Sequence, residues 1–195
     1  MVKIILSILL GYISGSIPFA IIVAYLAKRI DIRKVGTGNP GAANVWREVG
    51  KGWGLLVWAC DLGKGVLPMF FADRILNLHP FFVALTGIAA VAGHCWSVFL
   101  RFRGGKGVAT GGAVFFYLTP KIFPLAVLAY FIVQRRPRSP LYVTTIFIVV
   151  YAIIVLVYLP QWKWLVPALL IFLLVGVLAN RDAIKEMIER SRRKK

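Results

Sequence analysis

The chain has 195 residues, of which 59% are hydrophobic, and it carries a formal net charge of +17. Its mean hydropathy of +0.79 is too high for a water-soluble domain of this length, which could not bury so much apolar surface. The basic residues lie in short clusters between long apolar runs, whereas a nucleic-acid-binding protein would place them along one face of a polar domain. The composition therefore predicts an all-α membrane protein and argues against nucleic acid as a partner.

Six apolar stretches follow one another along the chain, and most have the roughly 20 residues that a membrane-spanning helix needs. The first is too long for the apolar part of a signal peptide and predicts a span that stays in the protein. The fourth contains Thr119-Pro120-Lys121 near its middle, so it predicts either one kinked helix or two short helices. The stretches cover residues 4–27, 53–72, 80–100, 108–133, 141–159 and 162–179.

The placement of Lys and Arg favours two short helices in the fourth stretch. With that split, most basic residues fall on the cytoplasmic side, as the positive-inside rule requires. With a single helix, the cluster at 135–138 and the C-terminal tail could not both share a side with the first two loops. We therefore predict about seven transmembrane helices, the fourth and fifth short, with the N-terminus outside and the C-terminus cytoplasmic. They would form one domain over 1–195, with a basic tail at 181–195 that contacts membrane lipids.

The first predicted cytoplasmic loop is rich in glycine and reads GTGNPGAANVWR from residue 36 to residue 47. Its letters fit G-x-G-x-x-G, but a dinucleotide fingerprint needs a βαβ unit, and here a membrane span precedes the loop. Glycine-rich backbone can direct several N–H groups at an anion, and Arg47 could add a bidentate contact. We therefore favour an anion-binding loop over a simple turn between helices.

A second glycine-rich loop, RFRGGKGVATGG, covers residues 101–112. It is not a Walker A loop, because Leu100 stands where the first glycine should be and Gly107 follows the lysine. It still combines unhindered amides, Lys106 and the start of a helix, and such a helix N-terminus favours phosphate. The loop therefore predicts a second anion site.

Asp61 and Lys64 lie one turn apart inside the second predicted span, where each charge costs roughly 2.5–3.5 kcal/mol. They could neutralise each other and lock helices together, or they could face a polar active-site cavity. His94, near the cytoplasmic end of the third span, could be a general base, a phosphate ligand or a packing histidine. Cys60 and Cys95 lie in apolar segments without metal-ligand spacing, so no metal site is predicted.

These motifs together resemble one family, the bacterial membrane acyl-phosphate:glycerol-3-phosphate acyltransferases. The resemblance is carried in order by Gly-Ser-Ile-Pro-Phe in the first span, the first glycine loop, Asp-Leu-Gly-Lys-Gly, Gly-His and the glycine–lysine run. These motifs occupy residues 15–19, 36–47, 61–65, 93–94 and 102–110.

The resemblance implies that acyl phosphate and glycerol 3-phosphate give lysophosphatidic acid and phosphate, without a metal or another cofactor. It implies a multi-pass protein of the bacterial inner membrane whose site faces the cytoplasm, where a soluble acyl-phosphate-producing enzyme could dock. The catalytic residues it implies are Lys106, Arg47, His94 and Asn44. The substrate-binding residues it implies are Ser16, Thr37, Gly38, Asn39, Gly41, Arg103, Gly104, Gly105, Gly107, Thr110, Asp61, Lys64, Arg136 and Ser139.

The chain departs from the family pattern at three places. Ala43 replaces a threonine of the first loop, residues 136–140 differ from the family's Arg-Tyr-Val-Ser, and Asn180 and Ala183 replace a histidine and an asparagine. A second hypothesis is a small transporter for a phosphorylated or anionic solute, with Asp61 and Lys64 as a relay. Acyl-CoA-dependent acyltransferases would need His-x-x-x-x-Asp, but Ala84 and Phe99 stand at the fifth position after each histidine.

Overall fold

The computed structural model describes residues 1–121, 165–181, 184 and 189, and in this part of the chain all regular structure is helical. It divides into two compact units, Met1–Leu118 and Thr119–Lys195. The described part of the second unit contains α7 (Leu165–Ala179). The prediction of an all-α protein is confirmed for the described residues. The first unit contains α1 (Val2–Ser16), α2 (Phe19–Lys28), α3 (Ala42–Glu48), α4 (Lys51–Phe70), α5 (Pro80–Cys95) and α6 (Val108–Leu118).

Three described segments are long and apolar enough to cross a membrane. They are Val2–Lys28, Lys51–Ile75 and Pro80–Leu100, with 27, 25 and 21 residues, and they correspond to the first three predicted spans. The fourth apolar stretch gives the short helix α6, which ends before a turn at Pro120 and Lys121. The fifth helix lies outside the described residues, so the number of spans and their orientation remain predictions.

The first span is broken at Ile17 and Pro18, which separate α1 from α2. Proline has no N–H and its ring obstructs the preceding turn, so carbonyls at the end of α1 lose their helical donors. Side chains from other segments supply replacements. Ser97 Oγ donates to the Ser16 carbonyl at 2.6 Å, and Lys64 Nζ donates to the Ile17 carbonyl at 2.9 Å. The break therefore fixes α1 to two other parts of the bundle.

A second proline, Pro68, lies inside α4 and cannot donate to the Lys64 carbonyl four residues earlier. Ser14 Oγ on α1 donates to that carbonyl instead, at 2.9 Å. Beyond α4 the chain continues as a short π-helical segment, Phe71–Ile75. A hydroxyl on α1 therefore supplies the hydrogen-bond donor that the proline removes from α4.

α1 and α5 run in the same direction and approach closely through glycines. A Cβ added at Gly15 would lie 2.6 Å from the Ala90 Cα, and one at Gly93 would lie 2.9 Å from the Ser16 amide nitrogen. Small residues of this kind let the backbones of membrane helices pack at short range, where dispersion forces and interhelical hydrogen bonds stabilise them.

Replacing Gly15 by alanine is expected to destabilise the bundle, because the added methyl meets the Ala90 backbone and the helices must separate. Overpacking of this kind costs about 1–3 kcal/mol. Gly63 on α4 is the matched control, since a Cβ there meets nothing within 4 Å. We expect the Gly63→Ala variant to unfold at or above the wild-type temperature in detergent or nanodiscs. Equal midpoints for the two variants would contradict this packing.

The first glycine-rich loop, between α2 and α3, is supported by a small apolar core. Ile32 and Val45 are fully buried in it, and Trp46 packs so closely on α4 that a Cβ at Gly54 would lie 2.6 Å from its Cα. Lys28 Nζ at the end of α2 donates to the Glu48 carbonyl at 2.9 Å. The core consists of Ala20, Val23, Ala24, Ile32, Val45, Val49 and Val57.

Candidate active site

The second glycine loop folds back on the C-terminal end of α5. The amide of Gly105 donates to the His94 carbonyl at 3.0 Å, and the amide of Gly104 donates to the Cys95 carbonyl at 2.9 Å. Tyr12 Oη donates to the next carbonyl, that of Trp96, at 2.7 Å. The helix end therefore has donors for its last carbonyls, and the Gly104 and Gly105 amides are already occupied within the protein.

Glycine is required in this loop for space as well as for conformation. A Cβ at Gly105 would collide with Nε2 of His94, and one at Gly104 would collide with the His94 carbonyl oxygen. Gly107 has a φ of +75°, and a Cβ there would lie 2.8 Å from the Cys95 sulfur. The glycines thus allow Lys106 to stand on a loop pressed against α5. Lys106 and Arg103 are both exposed.

Lys64 and Asp61 form an ion pair in the middle of α4, with Nζ 2.8 Å from Oδ1 and side chains only 4% and 3% exposed, respectively. Nδ1 of His94 lies 3.6 Å from the same carboxylate oxygen. The broken end of α1, the end of α5 and the loop before α6 all meet at this level of α4. The structure shows Asp61 and Lys64 as a mutually neutralising pair with His94 beside it, whereas a role in an active-site cavity stays a prediction.

Asn44 holds the first glycine loop from inside. Its Oδ1 accepts the Thr37 amide at 3.0 Å, and its Nδ2 donates to the carbonyls of Ile32 and Val35 at 3.1 and 3.0 Å. Asn44 is 1% exposed, so its amide group is committed to the loop. Gly36, with a φ of +59°, adopts the left-handed region that this turn requires.

The rest of the first loop points outward. Thr37 and Arg47 are exposed, whereas Gly41 is buried at the start of α3. The amide of Gly38 donates to the Val35 carbonyl, and that of Gly41 donates to the Asn39 carbonyl.

Trp46, beside Arg47, packs at Gly54 on α4, and Asp61 lies seven positions further along the same helix. At 1.5 Å per residue, the position on α4 that Trp46 contacts lies about 10 Å along the helix axis from Asp61, which His94 faces.

Asp31 caps the turn that leads into the first loop, accepting the Arg33 amide at 3.1 Å and the Arg33 side chain at 2.8–2.9 Å. Hydrogen bonds from the Arg33 side chain and backbone lower the pKa of Asp31 to about 2. Because its pKa is lowered, the ionised carboxyl stabilises the folded state at pH values above its ordinary pKa near 3.8. This stabilisation is lost as the pH falls from there toward 2. The cap is therefore intact at neutral pH.

Two of the predicted binding residues, Ser16 and Thr110, are buried inside the protein. Ser16 is 1% exposed, and its Oγ donates to the Tyr12 carbonyl at 2.8 Å within α1. Thr110 is fully buried, and its Oγ1 has no hydrogen-bond partner among the described residues. Arg136 and Ser139 lie outside the described residues. Asn180 is 8% exposed, and its Nδ2 donates to the Gly176 carbonyl at 2.9 Å.

The sequence interpretation missed the hydroxyl groups that assemble the site. Tyr12, Ser14 and Ser97 each donate to a carbonyl that a helix end or a proline leaves without its usual donor. Their only signal in the sequence is that a polar residue occurs within or beside an apolar run. The carbonyl that each one reaches depends on tertiary packing.

The site therefore combines exposed cations on the second glycine loop and on α3 with a buried and mutually neutralised charge cluster. Within residues 1–121 and 165–181, no group of three His, Cys, Asp or Glu side chains could hold a metal ion. The arrangement is suited to electrostatic positioning of phosphorylated molecules at a membrane.

The fold and the site define a helical membrane protein with two glycine-rich loops, and comparison with known proteins gives its family. The family model described as glycerol-3-phosphate acyltransferase matches residues 5–190. This chain belongs to the glycerol-3-phosphate acyltransferase family.

It is 51% identical over 118 residues to a glycerol-3-phosphate acyltransferase of Rubrobacter xylanophilus, covering 60% of this chain and 58% of that protein. It is 52% identical over 115 residues to glycerol-3-phosphate acyltransferase 1 of Deinococcus radiodurans, covering 59% and 57%. The aligned part thus spans less than two thirds of these relatives.

Two solved structures have the same fold over nearly the whole chain. Both are crystal structures of PlsY (YgiH), an integral membrane glycerol 3-phosphate acyltransferase. The glycerol 3-phosphate form has a TM-score of 0.82 and 28% identity, covering 95% of this chain and 92% of that one. The lysophosphatidic acid form has a TM-score of 0.81 and 27% identity, with the same coverage.

Proposed function

We propose that this protein transfers the acyl group of an acyl phosphate to glycerol 3-phosphate, giving lysophosphatidic acid and inorganic phosphate. The observation that carries the proposal is membership of the glycerol-3-phosphate acyltransferase family, joined to a structural likeness over 95% of the chain to the glycerol 3-phosphate form of such an enzyme. The same match argues against the alternative of an anion transporter.

The charge arrangement supports two phosphorylated substrates. Arg47 stands in the last turn of α3, after the first loop, and Lys106 stands on the second loop; both are exposed on segments anchored to α4 and α5. Two exposed cations on separately anchored segments suit a donor and an acceptor that each carry a phosphate group. In this assignment Arg47 and Lys106 contact phosphate, with Thr37, Asn39 and Arg103 as further contacts.

The other predicted site residues have supporting roles in this proposal. Asn44 fixes the first loop, and the Gly104 and Gly105 amides hold the second loop on α5, so these groups act by positioning. Asp61 and Lys64 fasten the broken end of α1. In the bound state, fixed cations of the protein take the place of bulk water around the substrate phosphates. The resulting orientation of the two substrates supplies much of the rate enhancement.

The reaction needs no protein nucleophile. The hydroxyl oxygen of glycerol 3-phosphate attacks the acyl carbonyl carbon, and an ester bond forms. The bond from that carbon to the bridging phosphate oxygen breaks, and the departing phosphate takes up the hydroxyl proton. Lys106 would bind the donor phosphate, which is already negatively charged in the bound substrate, and would stabilise the further charge that develops as this phosphate leaves. An acyl phosphate is already activated, so these contributions suffice.

The same proposal includes the membrane arrangement. We expect one domain over 1–195 in a bacterial inner membrane, with the N-terminus outside and both glycine loops in the cytoplasm. The positive-inside rule supports this orientation. α6 has only 11 residues and supports short fourth and fifth spans, which would thin the bilayer locally. A soluble acyl-phosphate-producing enzyme would then dock on the basic cytoplasmic face.

A direct assay tests the function. Purified protein in nanodiscs is given labelled glycerol 3-phosphate with palmitoyl phosphate or with palmitoyl-CoA, and lysophosphatidic acid is measured. We expect product from palmitoyl phosphate only, and a fall of about 100-fold in the Lys106→Ala variant because one charged donor to the phosphate is lost.

Lys3→Ala is the matched control, since Lys3 is an exposed lysine at the other end of the bundle. It should retain full activity. Product from palmitoyl-CoA alone would contradict the donor assignment. No product from either donor, in protein that unfolds at the normal temperature, would contradict acyl transfer.

A further inference from the structure

His94 contacts the second glycine loop through both its backbone and its ring. Its carbonyl accepts the Gly105 amide at 3.0 Å. Its Nε2 lies so close to Gly105 that a Cβ there could not be accommodated. The ring therefore sets how closely the loop can approach α5.

The opposite edge of the ring faces the buried ion pair. Nδ1 lies 3.6 Å from Asp61 Oδ1, and the same oxygen lies 2.8 Å from Lys64 Nζ. His94 is 7% exposed, and Asp61 is 2% exposed. Lys64 is held in turn by the Ile17 carbonyl, so the ring is supported from behind by a cluster that connects α1, α4 and α5.

We propose that His94 is a positioning residue: its ring, held between Asp61 and Gly105, sets the position of the second glycine loop and thereby the point where Lys106 meets a phosphate group. Lys106 follows Gly105 directly, so a displacement of Gly105 moves it. The inference rests on the proposed function only in naming that phosphate as a substrate's.

The geometry favours a positioning role for His94 over a role in proton transfer. Both nitrogens of His94 face protein groups, one toward a carboxylate and one toward a glycine backbone, and the side chain is buried. A general base would need a ring nitrogen within reach of the attacking hydroxyl. A positioning residue instead changes substrate affinity when it is altered, because the phosphate contacts are misplaced.

A double-mutant cycle between His94 and Gly105 tests the proposal. Gly105→Ala places a methyl group against Nε2, and His94→Asn removes the ring while keeping an amide near the Nδ1 position. Each single change should raise KM for a phosphorylated substrate by at least about tenfold and change kcat less, because a loop shift of about 1 Å misplaces Lys106. In the double variant the methyl occupies the vacated space, so KM should return to within about threefold of wild type.

His94→Gln is the second test variant, because its amide can reach the Nε2 position. It should preserve KM better than His94→Asn does, and it should not rescue Gly105→Ala. His79→Asn at the start of α5 is the control, since asparagine keeps the capping contact to the Phe81 amide. A double variant no better than the worse single variant would overturn the proposal. So would a His94→Asn variant that loses kcat with KM unchanged.

Binding of inorganic phosphate, followed by thermal shift across the same variants, gives a readout without turnover. We expect its dissociation constant to follow KM through the cycle. If the wild-type protein makes no lysophosphatidic acid but phosphate binding follows this pattern, the proposed function fails and the positioning role stands. If phosphate binding is the same in all variants, the positioning role fails.

Discussion

Replacing Arg47 by alanine is expected to lower kcat/KM for acyl transfer by about 100- to 1000-fold, the usual effect of removing one charged donor from a reacting or bound anion. Arg47 lies in the last turn of α3, exposed beside Trp46, whose backbone packs on α4. Its guanidinium can make two parallel hydrogen bonds to a phosphate, and lysine cannot reproduce this geometry. We therefore expect Arg47→Lys to recover only part of the loss.

Steady-state kinetics with varied glycerol 3-phosphate and varied palmitoyl phosphate would show which substrate Arg47 binds. Lys34→Ala is the control, because Lys34 is an exposed cation in the turn before the same loop. It changes the net charge equally and should leave kcat/KM near that of wild type. Equal losses in the two variants would mean that overall charge, rather than a contact with Arg47, supports activity.

The Lys64→Met variant is expected to lose about 3–5 kcal/mol of folding stability, because it leaves the Asp61 carboxylate buried without its cation. The ammonium also donates to the Ile17 carbonyl, which the helix break has deprived of its normal partner. The double variant Asp61→Asn/Lys64→Met carries no buried charge and should recover most of the stability. Unfolding in detergent at increasing temperature or denaturant measures the differences.

Arg74 and Asp73 provide an exposed pair for comparison, with Nε 3.1 Å from Oδ2 and side chains 69% and 32% exposed, respectively. Arg74→Met should cost no more than about 1 kcal/mol, since water screens this pair. If Lys64→Met and Arg74→Met had the same effect, the buried pair would not hold the bundle together.

The apolar pattern was enough to predict most of the described helices. The first three spans follow from continuous hydrophobicity, and the ion pair of Asp61 and Lys64 follows from their spacing of three residues on one helix. The end of α6 at Leu118 lies close to the division of the fourth apolar stretch that the placement of Lys and Arg favoured. These features depend on local sequence, so they could be read without tertiary contacts.

The role of the Gly104 and Gly105 amides could not be predicted from the sequence. The density of glycines predicted free amides for an anion, but the Gly104 and Gly105 amides bind carbonyls at the end of α5. A loop amide and a helix-end carbonyl pair only when the loop folds back, and no residue pattern in the loop specifies that direction. For the same reason the contact of His94 with Gly105 was not predicted.

Asn44 illustrates the same limit within the first loop. The family resemblance implied a catalytic role, which stays untested, whereas its side-chain amide makes three hydrogen bonds that shape the loop. Asparagine can serve either purpose, and only the burial of the side chain distinguishes them.

The most direct test of the account follows an oxygen atom through the reaction. Palmitoyl phosphate labelled with ¹⁸O at the oxygen that bridges carbon and phosphorus is supplied with unlabelled glycerol 3-phosphate, and both products are weighed by mass spectrometry. Attack on the carbonyl carbon predicts labelled inorganic phosphate and unlabelled lysophosphatidic acid. Unlabelled phosphate, or no lysophosphatidic acid from folded protein, would contradict the proposed acyl transfer.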